Sequence, residues 1–368
     1  MRLLILTQKV DQNDDVLGFF HGWVREFAKH YEQVIVIALG VGEYDLPANV
    51  RVLSLGKERG KQERKRTDLG NSKRSVLGEL LQRVRYTLNF YRLIWRERKE
   101  YDTVFVHMNQ EYVLLGGPFW KLLGKKVTMW RNHPTGNMLT RMAMVFSDAM
   151  FCTSEHSFIA TSKKTTIMPA GIDTSMFKRD SAVQKIKNSV VYVGRIAPIK
   201  NIDVLIDAVA ELDKMGHEFT LHLIGDVLPL DASYLNLLKE KAASLIANNK
   251  VAFLGSIPNR NLSVAYDRYE IVVNMTDSGS FDKTILEGMA CEGLTVVSNR
   301  SFVGVLPEDT LFEERNSHDL ARVLVHVLDI SGDERVRRGK ELREVVEQHH
   351  SLALLAQELI SSFTQSKR

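Results

Sequence analysis

Residues 274–297, NMTDSGSFDKTILEGMACEGLTVV, hold a strand end, a polar glycine-containing turn, an amphipathic helix and the start of a second strand. The turn, Thr276 to Ser280, opens a helix that stops at Gly293, and the β-branched run Thr295, Val296, Val297 follows at once. A strand–loop–helix–strand unit this compact belongs in a parallel α/β sheet. The loop of such a unit lies at the carboxyl end of its strand, where ligands bind. The helix behind it offers unpaired backbone N–H groups and a positive dipole end to an anion. Glu287 falls about one turn into that helix, and its carboxylate can accept two hydrogen bonds at once, as from vicinal ribose hydroxyls. The competing reading is that an acidic residue near a helix start only complements the dipole.

The rest of the chain repeats the alternation. Leu3–Leu6 reads as a strand, Phe19 to His30 as a helix and Val34–Leu39 as the next strand. The loop between the first two lacks G-x-G-x-x-G, which argues against a dinucleotide cofactor. Gly18, at the mouth of that helix, either lets a phosphate approach backbone N–H groups or simply starts the helix. Further strands are expected at Thr103–His107, Val127–Trp130, Ala149–Thr153 and Thr165–Met168. His107 and His133 thus fall at or just past two strand ends, where an open sheet places its site; taken singly, each would more often be a hydrogen-bonded structural residue. Residues 178–188 are polar and without a strong pattern, and read as an interdomain linker. A second series follows, with strands at Val190–Val193, Thr220–Ile224, Val251–Leu254 and Ile271–Asn274, and helices at Ser317–Leu328, Asp333–His350 and Leu352–Phe363 end the chain.

With 368 residues the chain is long for one core and suits two domains. Its 44% hydrophobic and 26% charged residues match a soluble globular protein. No run of eighteen apolar residues occurs, and Met1 to Leu6 is too short for a signal peptide, so a cytoplasmic location is expected. Cys152 and Cys291 each lie in apolar surroundings, which suggests buried thiols, and no metal-ligand cluster is visible. The net charge of +4 is local in origin: residues 57–99 hold fourteen Lys or Arg against five acidic residues. Within them Leu77, Leu80, Leu81, Val84, Leu88, Tyr91, Ile94 and Trp95 form a helical stripe, expected to face the core, with Arg83, Arg85, Arg92 and Arg96 outside it. The alternative use of the basic segment is attraction to an anionic membrane surface. Nucleic acid is disfavoured because the aromatic residues lie on the stripe instead of alternating with the charges.

The first strand of the second half runs into VGRIAPIK, residues 193–200, with a helix directly after. Gly194 permits close backbone approach, and Arg195 and Lys200 set two cations beside a helix start, a combination that suits a diphosphate.

Five segments in order, GIDTSMF at 171–177, VGRIAPIKN at 193–201, LIGD at 223–226, FLGSIP at 253–258 and LEGMACEGLTVV at 286–297, make the chain resemble a family 4 glycosyltransferase over almost its whole length. The resemblance implies the GT-B fold, with two Rossmann-like, doubly wound parallel-sheet α/β domains facing a cleft. It also implies a retaining, metal-independent sugar transfer from a UDP- or GDP-sugar, itself a substrate, with no cofactor. The expected division is an acceptor-side domain over 1–177, onto which the C-terminal helix 352–368 packs back, the linker 178–188, and a donor-binding domain over 189–350. Arg195 and Lys200 would hold the diphosphate, Glu287 the ribose, and the backbone around Ile257 the base. Gly18, Gly194, Ser280, Phe281 and Asp282 would complete the donor site, and His107 and His133 would lie near the sugar and acceptor. The chain departs from the pattern at Gly279, where the first glutamate of the E-x7-E motif should stand, and Asp282 with Lys283 would supply replacement polar contacts. The implied acceptor is a glycan or lipid-linked hydroxyl in cell-envelope synthesis, which with the basic segment suggests a peripheral place on the inner membrane face. A GT-B epimerase and a non-catalytic nucleotide-sugar binder are the alternatives.

Overall fold

The computed structural model describes residues 1–14, 16–58, 76–278 and 281–364. The chain divides into two compact units, Met1–Met168 with Ala356–Arg368, and Pro169–Leu355.

The first unit is built on a seven-stranded sheet of order β3-β2-β1-β4-β5-β6-β7. Its strands are β1 (Arg2–Val10), β2 (Gln33–Val41), β3 (Val50–Ser54), β4 (Thr103–His107), β5 (Lys126–Trp130), β6 (Ala149–Cys152) and β7 (Thr165–Ile167), all paired in parallel. Helices α1 (Gly18–Ala28), α2 (Val76–Arg96), α3 (Gln110–Leu122) and α4 (Met138–Phe146) connect them. β4 is buried along its whole length and Leu3 to Leu6 of β1 are fully buried, as expected of parallel strands covered on both faces. β3 has no counterpart in the sequence reading, although VRVLS alternates as a half-exposed edge strand should.

The second unit carries a five-stranded parallel sheet of order β10-β9-β8-β11-β12. Its strands are β8 (Ser189–Val193), β9 (Thr220–Ile224), β10 (Val251–Gly255), β11 (Ile271–Asn274) and β12 (Leu294–Val297). The helices are α5 (Ile202–Lys214), α6 (Ala232–Lys241), α7 (Ala243–Ala247), α8 (Leu262–Asp267), α9 (Lys283–Ala290), α10 (Ser317–Asp329), α11 (Gly332–His349) and α12 (Leu352–Thr364), the last of which ends in the first unit. Both sheets are doubly wound and Rossmann-like. Both cysteines are free, buried thiols.

Three expectations need correction. Residues 178–188 are part of the second unit: Arg179 pairs with Asp267 at 3.4 Å, the Asp180 N–H donates to Asp267 Oδ2 at 2.9 Å, and Lys185 Nζ donates to the Glu292 carbonyl at 3.1 Å. The polar composition that suggested a linker reflects these anchoring contacts. α9 is shorter than its apolar spacing implied, because Asp282 caps it late and it ends at Ala290. In α2 the core-facing residues are Phe90, Leu93 and Ile94, while Leu80, Leu81, Val84, Leu88, Tyr91 and Trp95 of the expected buried stripe are exposed. Periodicity identifies an apolar face but not which of two such faces meets the core.

The last helix closes the first unit. The Phe363 ring lies 5.6 Å from Phe105 and 5.8 Å from Phe151, and Lys126 Nζ donates to the Ser362 carbonyl at 2.6 Å. Phe363→Ala is therefore expected to cost about 3 kcal/mol, and Phe363→Leu nearer 1 kcal/mol. Urea unfolding followed by circular dichroism would check this, and equal midpoints for Phe363→Ala and wild type would show that the helix end is not seated there.

Candidate active site

In the second sheet the chain steps from β8 to β9 and β10, then returns to lay β11 and β12 on the other side of β8. The order reverses between β8 and β11, and an open α/β sheet binds its ligand outside the carboxyl ends of such strands. The two loops leaving those ends carry Gly194 to Lys200 and Met275 to Asp282.

The first loop is set by close backbone approach. Gly194 donates its N–H to Ile224 at 2.9 Å, and a Cβ on Gly225 would lie 1.8 Å from the Gly194 carbonyl oxygen. Gly225 has φ +155 and admits no side chain. The chain then passes exposed Arg195 and a short turn, Pro198–Lys200, to Asn201, which has φ +49. Asn201 Nδ2 donates to the Met275 carbonyl at 3.0 Å and to Asp277 Oδ1 at 2.8 Å, joining the first loop to the second.

A charged cluster completes the join. Lys200 Nζ donates to Asp282 Oδ2 at 2.6 Å and to Thr276 Oγ1 at 3.2 Å. Asp282 also accepts from Asn274 Nδ2 at 3.2 Å and caps α9 through the Thr284 N–H at 3.3 Å. Burial alone would push the Asp282 carboxyl up, but the Lys200 charge and these hydrogen bonds hold it down at about 2. Lys200 thus stands at the mouth of α9 already countered by an anion of the chain itself.

Glu287, one turn into α9, is only 4% exposed and accepts from the Tyr266 hydroxyl at 3.2 Å. The carboxylate is thus buried instead of solvated, and the Tyr266 hydroxyl and the Lys283 charge are its partners within the unit. Burial pushes Glu287 up to about 7 and pushes Lys283, one turn earlier, down to about 7, while each charge favours the other. Phe281 stacks on Phe302 with centroids 4.6 Å apart, and Ile257, on the loop after β10, packs against the core. Ser280, with Gly279, lies outside the described residues.

The first sheet reverses in the same way between β1 and β4. His107 ends β4 as expected, yet it is 2% exposed, stacked on Phe20 at 3.9 Å with Trp23 at 5.7 Å, and its Nδ1 lies 3.3 Å from Thr7 Oγ1. The side chain is packed among aromatic rings below the strand end. His133 is exposed, and its Nδ1 accepts from the Thr135 N–H at 3.1 Å. Gly18 opens α1, but its N–H donates to the Asp14 carbonyl at 3.0 Å, and the Asp14 carboxylate takes the N–H groups of Val16 and Leu17. Lys9 closes on Asp14 at 2.5 Å. The anion at this helix mouth is therefore Asp14.

The sequence reading missed Asn201, Asn274, Thr276 and Tyr266. The two asparagines left a signal, one ending the otherwise apolar strand IVVN and the other at a left-handed position before a helix.

Residues 173–345 match the family described as Glycosyl transferases group 1. That match lies within the second unit. The chain is 24% identical over 182 residues to alpha-monoglucosyldiacylglycerol synthase of Streptococcus pneumoniae, across 45% of this chain and 40% of that one. It is 31% identical over 148 residues to mannosylfructose-phosphate synthase of Agrobacterium fabrum, across 37% of this chain and 33% of that one. The matches thus span well under half the length of these curated relatives. Anabaena Alr3699/HepE, solved in complex with UDP and glucose, superposes with a TM-score of 0.74 at 16% identity over 100% of both chains. The fold is that of the GT-B glycosyltransferases.

The Lys200–Asp282 pair makes a prediction about acid stability. The carboxyl is lowered in the folded state, so its contribution is complete above the ordinary value of 3.8 and is lost as pH falls toward 2, a difference of about 2 kcal/mol. Lys200→Met should remove about that much stability at neutral pH and flatten the acid limb of the stability profile. An unchanged slope between pH 4 and pH 2 in chemical-denaturation curves would refute the pairing.

Proposed function

We propose that the protein is a retaining, metal-independent glycosyltransferase of family 4 that moves a sugar from a UDP- or GDP-sugar to an acceptor hydroxyl. The observation that carries this reading is the cluster at the β8/β11 reversal. One cation, Lys200, bridges both strand-end loops at a helix start, and a buried carboxylate, Glu287, lies one turn behind it. A donor diphosphate would compete with Asp282 for Lys200 and recruit exposed Arg195. Both cations would then stabilise the charge that grows on the leaving nucleotide, an interaction stronger in the transition state than in the bound substrate. Glu287 would accept from the ribose hydroxyls and Phe281 would border the sugar. The UDP and glucose held by Anabaena Alr3699/HepE support this donor class. The acceptor is a glycan or lipid-linked hydroxyl, with the first unit as the acceptor-side domain and the second as the donor-side domain.

Gly279, standing where the motif's first glutamate is expected, favours a second reading, a nucleotide-sugar binder without turnover. Release of nucleoside diphosphate in the presence of acceptor distinguishes the two.

The direct test is a thermal-shift panel of UDP, GDP, ADP and their sugars. A nucleotide at a hundred times its dissociation constant should stabilise the fold by about 2.7 kcal/mol, and Glu287→Gln should lose most of that. Ribose binding needs the ionised carboxylate, and burial pushes Glu287 up, so the wild-type shift should grow as pH rises from 6 to 8, and by more than that of Glu287→Gln. Equal shifts in both proteins would overturn the assignment.

A further inference from the structure

We infer that α2 is an interfacial helix that seats the protein on an anionic lipid bilayer. The basic residues are those the composition pointed to, but the exposed apolar strip beside them is one the sequence reading had assigned to the core, and the inference stands independently of the transferase reading. Phe90, Leu93 and Ile94 attach α2 to the first unit's core, which accounts for one face. A second apolar face points outward: Leu80, Leu81, Val84, Leu88, Tyr91 and Trp95 are 42 to 65% exposed and recur at helical spacing along four turns. The Trp95 ring lies 5.9 Å from Phe119 of α3, and Leu122, three residues on in the same helix, is 88% exposed. A contiguous apolar strip of this kind on a water-facing helix marks a surface that something covers.

Charge decides what covers it. α2 holds four arginines and one acidic residue. Arg85, Arg92 and Arg96, at spacings of seven and four, form a column along one edge of the exposed strip. They line a pocket of about 180 Å³ with Ser54 and Asn89. Arg96 is held by Glu97 at 2.7 Å, which fixes the direction of its guanidinium, while Arg85 and Arg92 are exposed. Arg98 lies 4.2 Å over the Trp95 ring. An apolar strip, an exposed tryptophan and an arginine column together match the boundary between acyl chains and phosphate headgroups. The strip would enter the acyl edge, Trp95 would lie at the interface and the arginine pocket would take a lipid phosphate. Among the described residues no helix is long and apolar enough to cross a membrane, so the geometry is that of a helix lying on the surface.

Trp95 is also the reporter. Of the four tryptophans, Trp23, Trp120 and Trp130 are buried and Trp95 is 58% exposed. The full chain would be mixed with vesicles of phosphatidylcholine alone, or of phosphatidylcholine with an equal part of phosphatidylglycerol. The expected results are co-sedimentation with the anionic vesicles, weakened by salt, and a blue shift of tryptophan emission that is absent in Trp95→Phe. Leu81→Ser with Leu88→Ser, both at exposed positions, should weaken binding about tenfold or more. Arg85→Ser with Arg92→Ser should abolish the preference for anionic vesicles. Both variants should keep the wild-type melting temperature and any nucleotide-induced shift, so failure here is distinct from failure of the donor site. No binding to either vesicle, or binding unchanged by the leucine substitutions, would overturn the proposal. So would a wild-type dimer, seen by light scattering, that the leucine substitutions dissociate, since the strip would then be covered by a second copy.

Discussion

An ammonium and a carboxylate 2.6 Å apart, Lys200 and Asp282, join the two loops of the second sheet's reversal. Each is largely withdrawn from solvent, and neither would be tolerated there alone, because a desolvated charge without a partner costs several kcal/mol. The pair therefore fixes how both loops leave their strands. Thr276 and Asn274 hydrogen-bond to the pair, Asn201 ties the loops a second time through the Met275 carbonyl, and the start of α9 follows from the same carboxylate. A ligand anion entering here would meet a cation already positioned, and would have to be a better partner than Asp282.

The first unit uses the same device with a different outcome. At its reversal the helix mouth behind β1 is filled by Asp14, which Lys9 holds in place. His107 is turned into an aromatic packing group instead of facing outward. Two sheets wound alike thus differ in what their reversal points present, one a bridging cation and a buried acid, the other a closed ion pair and a stacked imidazole. Topology places a candidate site, and the side chains at the two strand ends decide whether it is open to an anion.

Much of this architecture was legible in the chain. Strands such as VVYV and IVVN could be read because parallel strands buried on both faces are continuous apolar runs. The loop bearing Lys200 and the helix bearing Glu287 were found from their place after such strands. What failed to show was orientation. The apolar spacing of α2 was real, but its outer face was taken for the inner one, and Phe90 and Leu93, which hold the helix to the core, belong to a different stripe. Residues 178–188 looked like a linker because their partners Asp267 and Glu292 are distant in sequence. His107 was placed correctly on its strand, but the burial of its ring depends on Phe20 and Trp23 arriving from another element.

The seat of Phe363 against Phe105 and Phe151 has a consequence for synthesis. The first sheet is translated early, yet the ring that covers this part of it arrives some two hundred residues later. At about 5–20 residues per second that interval is tens of seconds, during which the nascent first unit has an open apolar face while the second unit is being made. The two units therefore cannot be completed in the order in which they are encoded: the one that begins first is the one that finishes last.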